Sequence, residues 1–152
     1  MKLSREVFTQ VVKNTPLVSI DMIVRNGSGE VLMGQRKNEP AKGSWFVPGG
    51  SIRKNETLDQ AFRRIARAEM GFDFEREQAR FLGPYEHFYP TNFAAEPGFG
   101  THYVVLAYEF SFPPKAALQP DDQHDILQWF AVAELLQNPA VHPHVKAYFP
   151  EE

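Results

Sequence analysis

Hydrophobic and polar positions along the chain follow two periods. Over 17–25 they alternate, with Val18, Ile20, Met22 and Val24 on one side and Ser19, Asp21 and Ile23 on the other. That is the period of a strand with two unlike faces. Asn26-Gly27-Ser28-Gly29 is a strong hairpin signal, and 31–36 reads as the return strand. Further strand-like runs cover 81–89, 102–112 and 125–130. Helical spacing begins with Leu3, Val7, Phe8, Val11 and Val12, where Ser4 is the expected N-cap and Asn14-Thr15-Pro16 the stop. This amphipathic helix either covers the core or meets a second subunit. Short helices are expected at 131–136 and, after Pro139 interrupts, over 140–149. Strands interspersed with helices in an order with few β-α-β units predict an α+β fold, a mixed sheet with helices on both sides.

The stretch 45–72 combines both periods. A short apolar run, Trp45-Phe46-Val47, ends at Pro48-Gly49-Gly50, a polar loop follows, and then a helical segment begins. At 100° per residue, Leu58, Phe62, Ile65 and Phe72 lie within about 40° of one direction, with Ala61 and Ala68 flanking them. Asp59, Gln60, Arg63 and Arg67 form the opposite, solvated face. Glu69 falls in the middle of the apolar stripe. A buried carboxylate without a partner is costly, so Glu69 requires an arginine such as Arg64, a metal ion or a raised pKa. Gly49 and Gly50 allow close backbone approach, and their carbonyls are hard oxygen donors of the kind Mg²⁺ accepts.

Composition narrows the setting. A chain of 152 residues is expected to form one domain spanning 1–152. With 16 basic and 19 acidic residues it has no electrostatic footprint for nucleic acid. The absence of cysteine excludes disulfides and thiolate metal sites. No apolar run approaches the roughly 18 residues of a membrane span, and the N-terminus lacks a signal-peptide core, so a soluble cytoplasmic protein is expected. Thirteen Phe, five Tyr and two Trp are core material or a platform for a sugar or base.

Several polar groups are candidates for chemistry. Asp21 and Arg36, on strands that the hairpin makes neighbours, form either an exposed cross-strand pair or the polar wall of a substrate site. Pro120-Asp121-Asp122-Gln123-His124-Asp125 concentrates metal-ligand and acid-base types before an apolar strand. Histidine is suited to taking a proton from water near neutral pH, and a glutamine carbonyl can fill a Mg²⁺ ligand position. His87-Phe88-Tyr89 and His102-Tyr103 lie on strands where half the residues pack. His142 and His144 read as surface residues. The long loop at 90–100 is a candidate lid or specificity loop.

Gly50, five residues, Glu56, seven residues, Arg64, then Glu69, Gly71 and Phe72 resembles the Nudix hydrolase signature, G-x5-E-x7-R-E-U-x-E-E-x-G-U with U a bulky aliphatic. The resemblance implies an α/β/α sandwich around a mixed sheet, with divalent metal held against a diphosphate. Ile65 and Ala68 stand where the family has glutamates, and Ala66 replaces the aliphatic. TPLVSID, GQRKNEPAKGSWFVPGG, NETLDQAF, HFYPTNF, THYVVL and PDDQHD extend the likeness over about 7–148 and resemble the GDP-mannose mannosyl hydrolases, the GDP-sugar glycosyl hydrolase branch of that family. That branch also lacks two of the helix glutamates.

The resemblance implies hydrolysis of GDP-mannose, with GDP-glucose as a second substrate, by water attack at the anomeric carbon with inversion. It implies one Mg²⁺ per subunit on the Gly49 carbonyl, Glu69 and Gln123, with His124 as general base. Arg36 and Tyr103 would contact the diphosphate and leaving group, and Asp21 would orient base or sugar. Phe8, Lys37, Arg53, Arg64, His87 and Tyr89 would be substrate contacts. Arg53 is the candidate replacement for an arginine that the branch carries where this chain has Ser51, and Arg64 would also orient the loop and helix. A homodimer is expected. A pyrophosphohydrolase giving GMP and sugar 1-phosphate, or a nucleotide-sugar sensor on a degenerate Nudix fold, are the other readings.

Overall fold

The computed structural model describes residues 2–113 and 126–150 of the 152-residue chain. Gln123 and His124 therefore lie outside the described residues. In order, the elements are α1 (Arg5–Asn14), β1 (Leu17–Arg25), β2 (Val31–Gln35), β3 (Trp45–Phe46), β4 (Gly49–Ser51), α2 (Leu58–Met70), a 3-10 turn Arg76–Gln78, β5 (Arg80–Tyr89), β6 (Thr101–Ser111), β7 (Leu127–Phe130), α3 (Val132–Gln137) and α4 (Pro143–Lys146).

β1 is the centre of a mixed sheet. Along one edge it pairs in parallel with β6 from Leu17↔Tyr103 to Arg25↔Ser111, and β6 carries β5 antiparallel beyond it. The other edge is divided. Arg25 meets Val31 of β2, whereas Ser19, Ile20 and Asp21 meet Ser51, Gly50 and Gly49 of β4. β2 in turn carries β3 and β7. The sheet therefore forks beside β1.

Alternation sends the two sides of β1 into two apolar clusters. Ile20, Met22 and Val24 pack with Phe62, Ile65 and Met70 of α2, while Ile23 packs with Leu135, Val141, Val145 and Phe149 near the C-terminus. Helices thus cover both faces, as the α+β expectation requires. Full burial of each large aliphatic or aromatic side chain contributes about 1.5–3 kcal/mol.

α2 is delimited by local chemistry. The Thr57 hydroxyl accepts from the Gln60 amide while the Gln60 side chain accepts from the Thr57 amide, a reciprocal cap. Gly71 ends the helix at φ 80°, a left-handed conformation that costs glycine nothing. The buried stripe is Ala61, Phe62, Ile65, Ala66 and Met70, rotated from the expected one. Leu58 at the open first turn stays 36% exposed. Phe72 lies past the Gly71 turn and joins Phe74 and Phe112 instead.

Three further expectations change. Gly49–Ser51 is a strand rather than the start of a polar loop, because β1 offers it an open edge. Over 140–149 only Pro143–Lys146 is α-helical. Ahead of it Trp45 N–H donates to the Ala140 carbonyl and His142 N–H to the Trp45 carbonyl, extending the chain alongside β3. The 90–100 loop is packed around a fully buried Asn92. Its amide donates to the Glu96 and Phe99 carbonyls, and its oxygen accepts from the Ala94 and Glu96 amides. Phe93 of the same loop packs on Phe8 of α1 at 4.8 Å.

Candidate active site

A cleft opens at the fork of the sheet, and register decides what lines it. Ser19 and Asp21 share the face of β1 that carries Ile23. Tyr103 on β6 and its partner His87 on β5, with Tyr89 two residues further, lie on that same face. All five line the cleft, together with Gly34 and Arg36 at the end of β2, the 46–51 segment, Glu69 and Leu127.

The α2 wall is made largely of backbone. A Cβ on Gly49 would lie 2.5 Å from the Ile20 carbonyl oxygen and 2.6 Å from Asp21 Oδ1, so only glycine lets β4 sit this close to β1. A Cβ on Gly50 would reach 3.2 Å from Ile65 Cγ1, which shows how tightly α2 rests on β4. Glu69 arrives in this gap and accepts from the Gly49 amide at 3.2 Å. Arg64 holds the intervening loop. Its guanidinium bonds both oxygens of Glu56, at 2.7 and 2.9 Å, and the Ser51 carbonyl at 2.9 Å. Hydrogen bonding to Arg64 lowers the Glu56 pKa, and Glu56 also accepts from the Arg53 amide at 2.8 Å.

The opposite wall is made of side chains. Tyr148 donates from its hydroxyl to Asp21 Oδ2 at 2.6 Å and stands 3.4 Å from His87 Nε2. Burial pushes the Asp21 carboxyl up to about 7, against the Tyr148 bond and the charge of Arg36, with Glu69 adding to the rise. His87 is driven down to about 4 by burial and by His144 and His142, so it is neutral at pH 7. The His87 and His144 rings stack at 4.3 Å with 2° between planes, and His142 stacks on Phe46 at 4.9 Å. Burial raises the pKa of Tyr103, Tyr89 and Tyr148, keeping these phenols protonated. Arg36 is steadied by the Pro40 carbonyl, 2.8 Å from Nε, and by the Phe46 ring, 5.7 Å from its guanidinium carbon.

Of the residues singled out by sequence, Asp21, Arg36, Gly49, Glu69, His87, Tyr89 and Tyr103 meet in this one cleft. Phe8, Lys37, Arg53 and Arg64 stand outside its lining: Phe8 of α1 packs against Phe93 of the 90–100 loop, Lys37 and Arg53 are exposed, and Arg64 is paired with Glu56. Asp21 and Arg36 are not cross-strand partners, since Asp21 pairs with Gly49. His142 and His144, expected at the surface, are half-buried behind the cleft, because the 140–142 segment pairs with β3 and turns them inward. Tyr148 escaped sequence reasoning altogether. Its only signal is an aromatic in an apolar C-terminal run.

The donor set is one a hard cation accepts. Glu69 accepts from the Gly49 amide, so a carboxylate meets bare backbone where a side chain at 49 could not fit. Among the described residues no three His, Asp or Glu side chains converge as a metal site. An ion at this place would thus depend on one carboxylate, backbone carbonyl and donors from elsewhere. No helix among the described residues is long and apolar enough to cross a membrane.

A forked mixed sheet with helices on both faces, and a loop-helix wall that brings Glu69 into the cleft, is the arrangement of a Nudix-type hydrolase. The NUDIX domain family profile matches residues 15–150, and the chain belongs to the Nudix family. It is 42% identical over 138 residues to the low-salt glycan biosynthesis protein Agl8 of Haloferax volcanii, covering 91% of this chain and 83% of that protein. A shorter match, 36% identical over 56 residues, is to the ADP-ribose pyrophosphatase of Methanocaldococcus jannaschii and covers 37% of this chain and 32% of that protein. Among solved structures, the MutT protein from Methanosarcina mazei shares the fold with a TM-score of 0.70 at 17% identity, over 90% of this chain and 93% of that one. The MutT Nudix hydrolase from Burkholderia pseudomallei gives a TM-score of 0.65 at 26% identity, over 88% and 95%.

Proposed function

We propose that the protein hydrolyses a GDP-hexose, GDP-mannose first and GDP-glucose second, to GDP and free hexose with inversion. Water oxygen bonds to the anomeric carbon, the bond from that carbon to the diphosphate oxygen breaks, and GDP leaves with the electron pair. His124 takes the proton from water. One observation carries this reading. The α2 wall offers Glu69 as its carboxylate, since Ile65 is buried in the core and Ala68 is apolar, whereas the titratable side chains gather on the other wall. Chemistry at phosphorus would call for charge on the helix. The similarity to Agl8, a low-salt glycan biosynthesis protein, agrees with a sugar-linked substrate.

Mg²⁺ bound by Glu69, the Gly49 carbonyl and Gln123 would neutralise charge on the diphosphate. Arg36, held by Pro40 and Phe46, supplies a fixed positive charge to the same group. Tyr103, kept protonated by burial, can donate to a leaving oxygen. Asp21, His87 and Tyr89 face the sugar. His124 stands three residues before Leu127, which lines the cleft. Phe8, Lys37, Arg53 and Arg64 bear on the substrate from the cleft's surroundings. A homodimer belongs to the same reading, with exposed Leu3 just ahead of α1 and Val7 on it as the apolar surface, and light scattering on a sizing column tests it.

Product analysis tests the reaction. With GDP-mannose and Mg²⁺, GDP and mannose are expected. GMP and mannose 1-phosphate would make the protein a pyrophosphohydrolase, and no turnover would make it a binding module.

A further inference from the structure

Behind the side-chain wall stands a group that does not line the cleft yet touches two residues that do. Tyr148 is 8% exposed, its ring is met edge-on by Tyr85 at 4.7 Å, and it packs in the C-terminal apolar cluster. Its hydroxyl lies 2.6 Å from Asp21 Oδ2 and 3.4 Å from His87 Nε2. A phenol has one proton to give. With Asp21 ionised, that proton is on the short bond to its carboxylate, and the phenol oxygen can only accept. His87 then keeps its contact by carrying hydrogen on Nε2, which leaves Nδ1 as an acceptor. The His87 ring is held in plane by its stack on His144, whose own Nε2 lies 3.1 Å from the Phe88 carbonyl.

We propose that Tyr148 is a positioning residue: its hydroxyl fixes the Asp21 carboxyl and selects the Nε2–H tautomer of His87, so that both side chains meet substrate as oriented acceptors. Acceptors suit the hydroxyl protons of a hexose and repel a phosphate. The clamp therefore marks the sugar end of the cleft, as Arg36 marks the diphosphate end. This rests on the reading that a sugar lies against that wall.

Imidazole tautomers are read from long-range ¹H–¹⁵N correlations in labelled protein at about pH 7.5, where histidines are largely neutral. His87, assigned by its loss in His87→Gln, is expected as Nε2–H in the wild type and to lose that preference in Tyr148→Phe. An Nδ1–H tautomer in the wild type, or an unchanged pattern in Tyr148→Phe, overturns the proposal. With GDP-mannose, Tyr148→Phe should lower kcat about ten- to a hundredfold, the scale of a misplaced reacting group, with KM within about twofold. Tyr85→Phe, which removes a hydroxyl from the same packed ring pair, should leave kcat unchanged. A lowered melting temperature with kcat intact in Tyr148→Phe would make its role structural and overturn the proposal. If the wild type does not cleave GDP-mannose, the function reading fails, and the tautomer of His87 still decides the clamp.

Discussion

The α2 wall and the side-chain wall of the cleft place polar groups beside a ligand with different materials. On the α2 side, two glycines bring backbone so close that Glu69 bonds the Gly49 amide, and the arginine that organises the loop, Arg64, faces Glu56 and Ser51. On the other side, Asp21, His87, Tyr89 and Tyr103 stand on one face of three strands and are braced from behind by the C-terminal segment. The first wall suits a cation and an anion pressed against it. The second has buried groups whose protonation is shifted, which suits handling protons and hydroxyls. A family motif that usually concentrates carboxylates on its helix has here kept Glu69, while acid-base character lies across the cleft.

The largest test of that contrast is His124→Gln. If proton transfer is separate from the α2 wall, kcat should fall by roughly 10² to 10⁴ with the melting temperature unchanged. A drop in stability with activity retained would move His124 to a structural role. Next comes Glu69→Gln, which should raise the Mg²⁺ concentration for half-maximal activity by about 10- to 100-fold, as loss of a ligand or its support does. Unaltered metal dependence would remove Glu69 from the cation site.

Arg64→Ala probes whether the α2 wall depends on its loop. The pair with Glu56 is mostly shielded, with side chains 29% and 17% exposed, and it shares the Ser51 carbonyl. Urea unfolding should show a loss of about 1.5–3 kcal/mol, the scale of hydrogen bonds to charged groups. No loss would mean that the loop holds itself.

The smallest effect is on pH. Folded Asp21 titrates near 7 against an ordinary 3.8, so the folded chain holds a proton that the unfolded chain has released, and stability rises as pH falls through 7. His87 and His142 act in reverse. With folded values of about 4 against 6.5, the unfolded chain binds protons first, so their contribution is lost as pH falls from 6.5 towards 4. Below 6.5 the two histidines outweigh the one aspartate. His142→Gln should flatten this acid limb in urea titrations, by no more than about 1.4 kcal/mol per pH unit. A steeper limb in that variant would place the burden on other groups.

How much of this was legible follows from which signals are local. β1, the first hairpin, α1 and α2 carry period and caps within a few residues, and the spacing from Gly50 to Phe72 was enough to suggest the family. β4 was not legible: three residues, two of them glycine, have no period, and their strand exists because β1 leaves an edge open. The buried stripe of α2 is turned towards Ala66 and Met70, which join the cluster of Ile20, Met22 and Val24 on β1, a tertiary contact that no helical wheel contains. The cleft residues on β1, β5 and β6 could be named from the family likeness, but the brace behind them could not. Tyr148 and Asp21 are 127 positions apart, and a His-Pro-His run reads as surface until the chain before it pairs with β3.

Hydrolysis of GDP-mannose in ¹⁸O-water separates attack at the anomeric carbon from attack at phosphorus. Label is expected in the released mannose, with GDP unlabelled. Label in GMP or in mannose 1-phosphate would contradict attack at carbon, because water would then have attacked phosphorus.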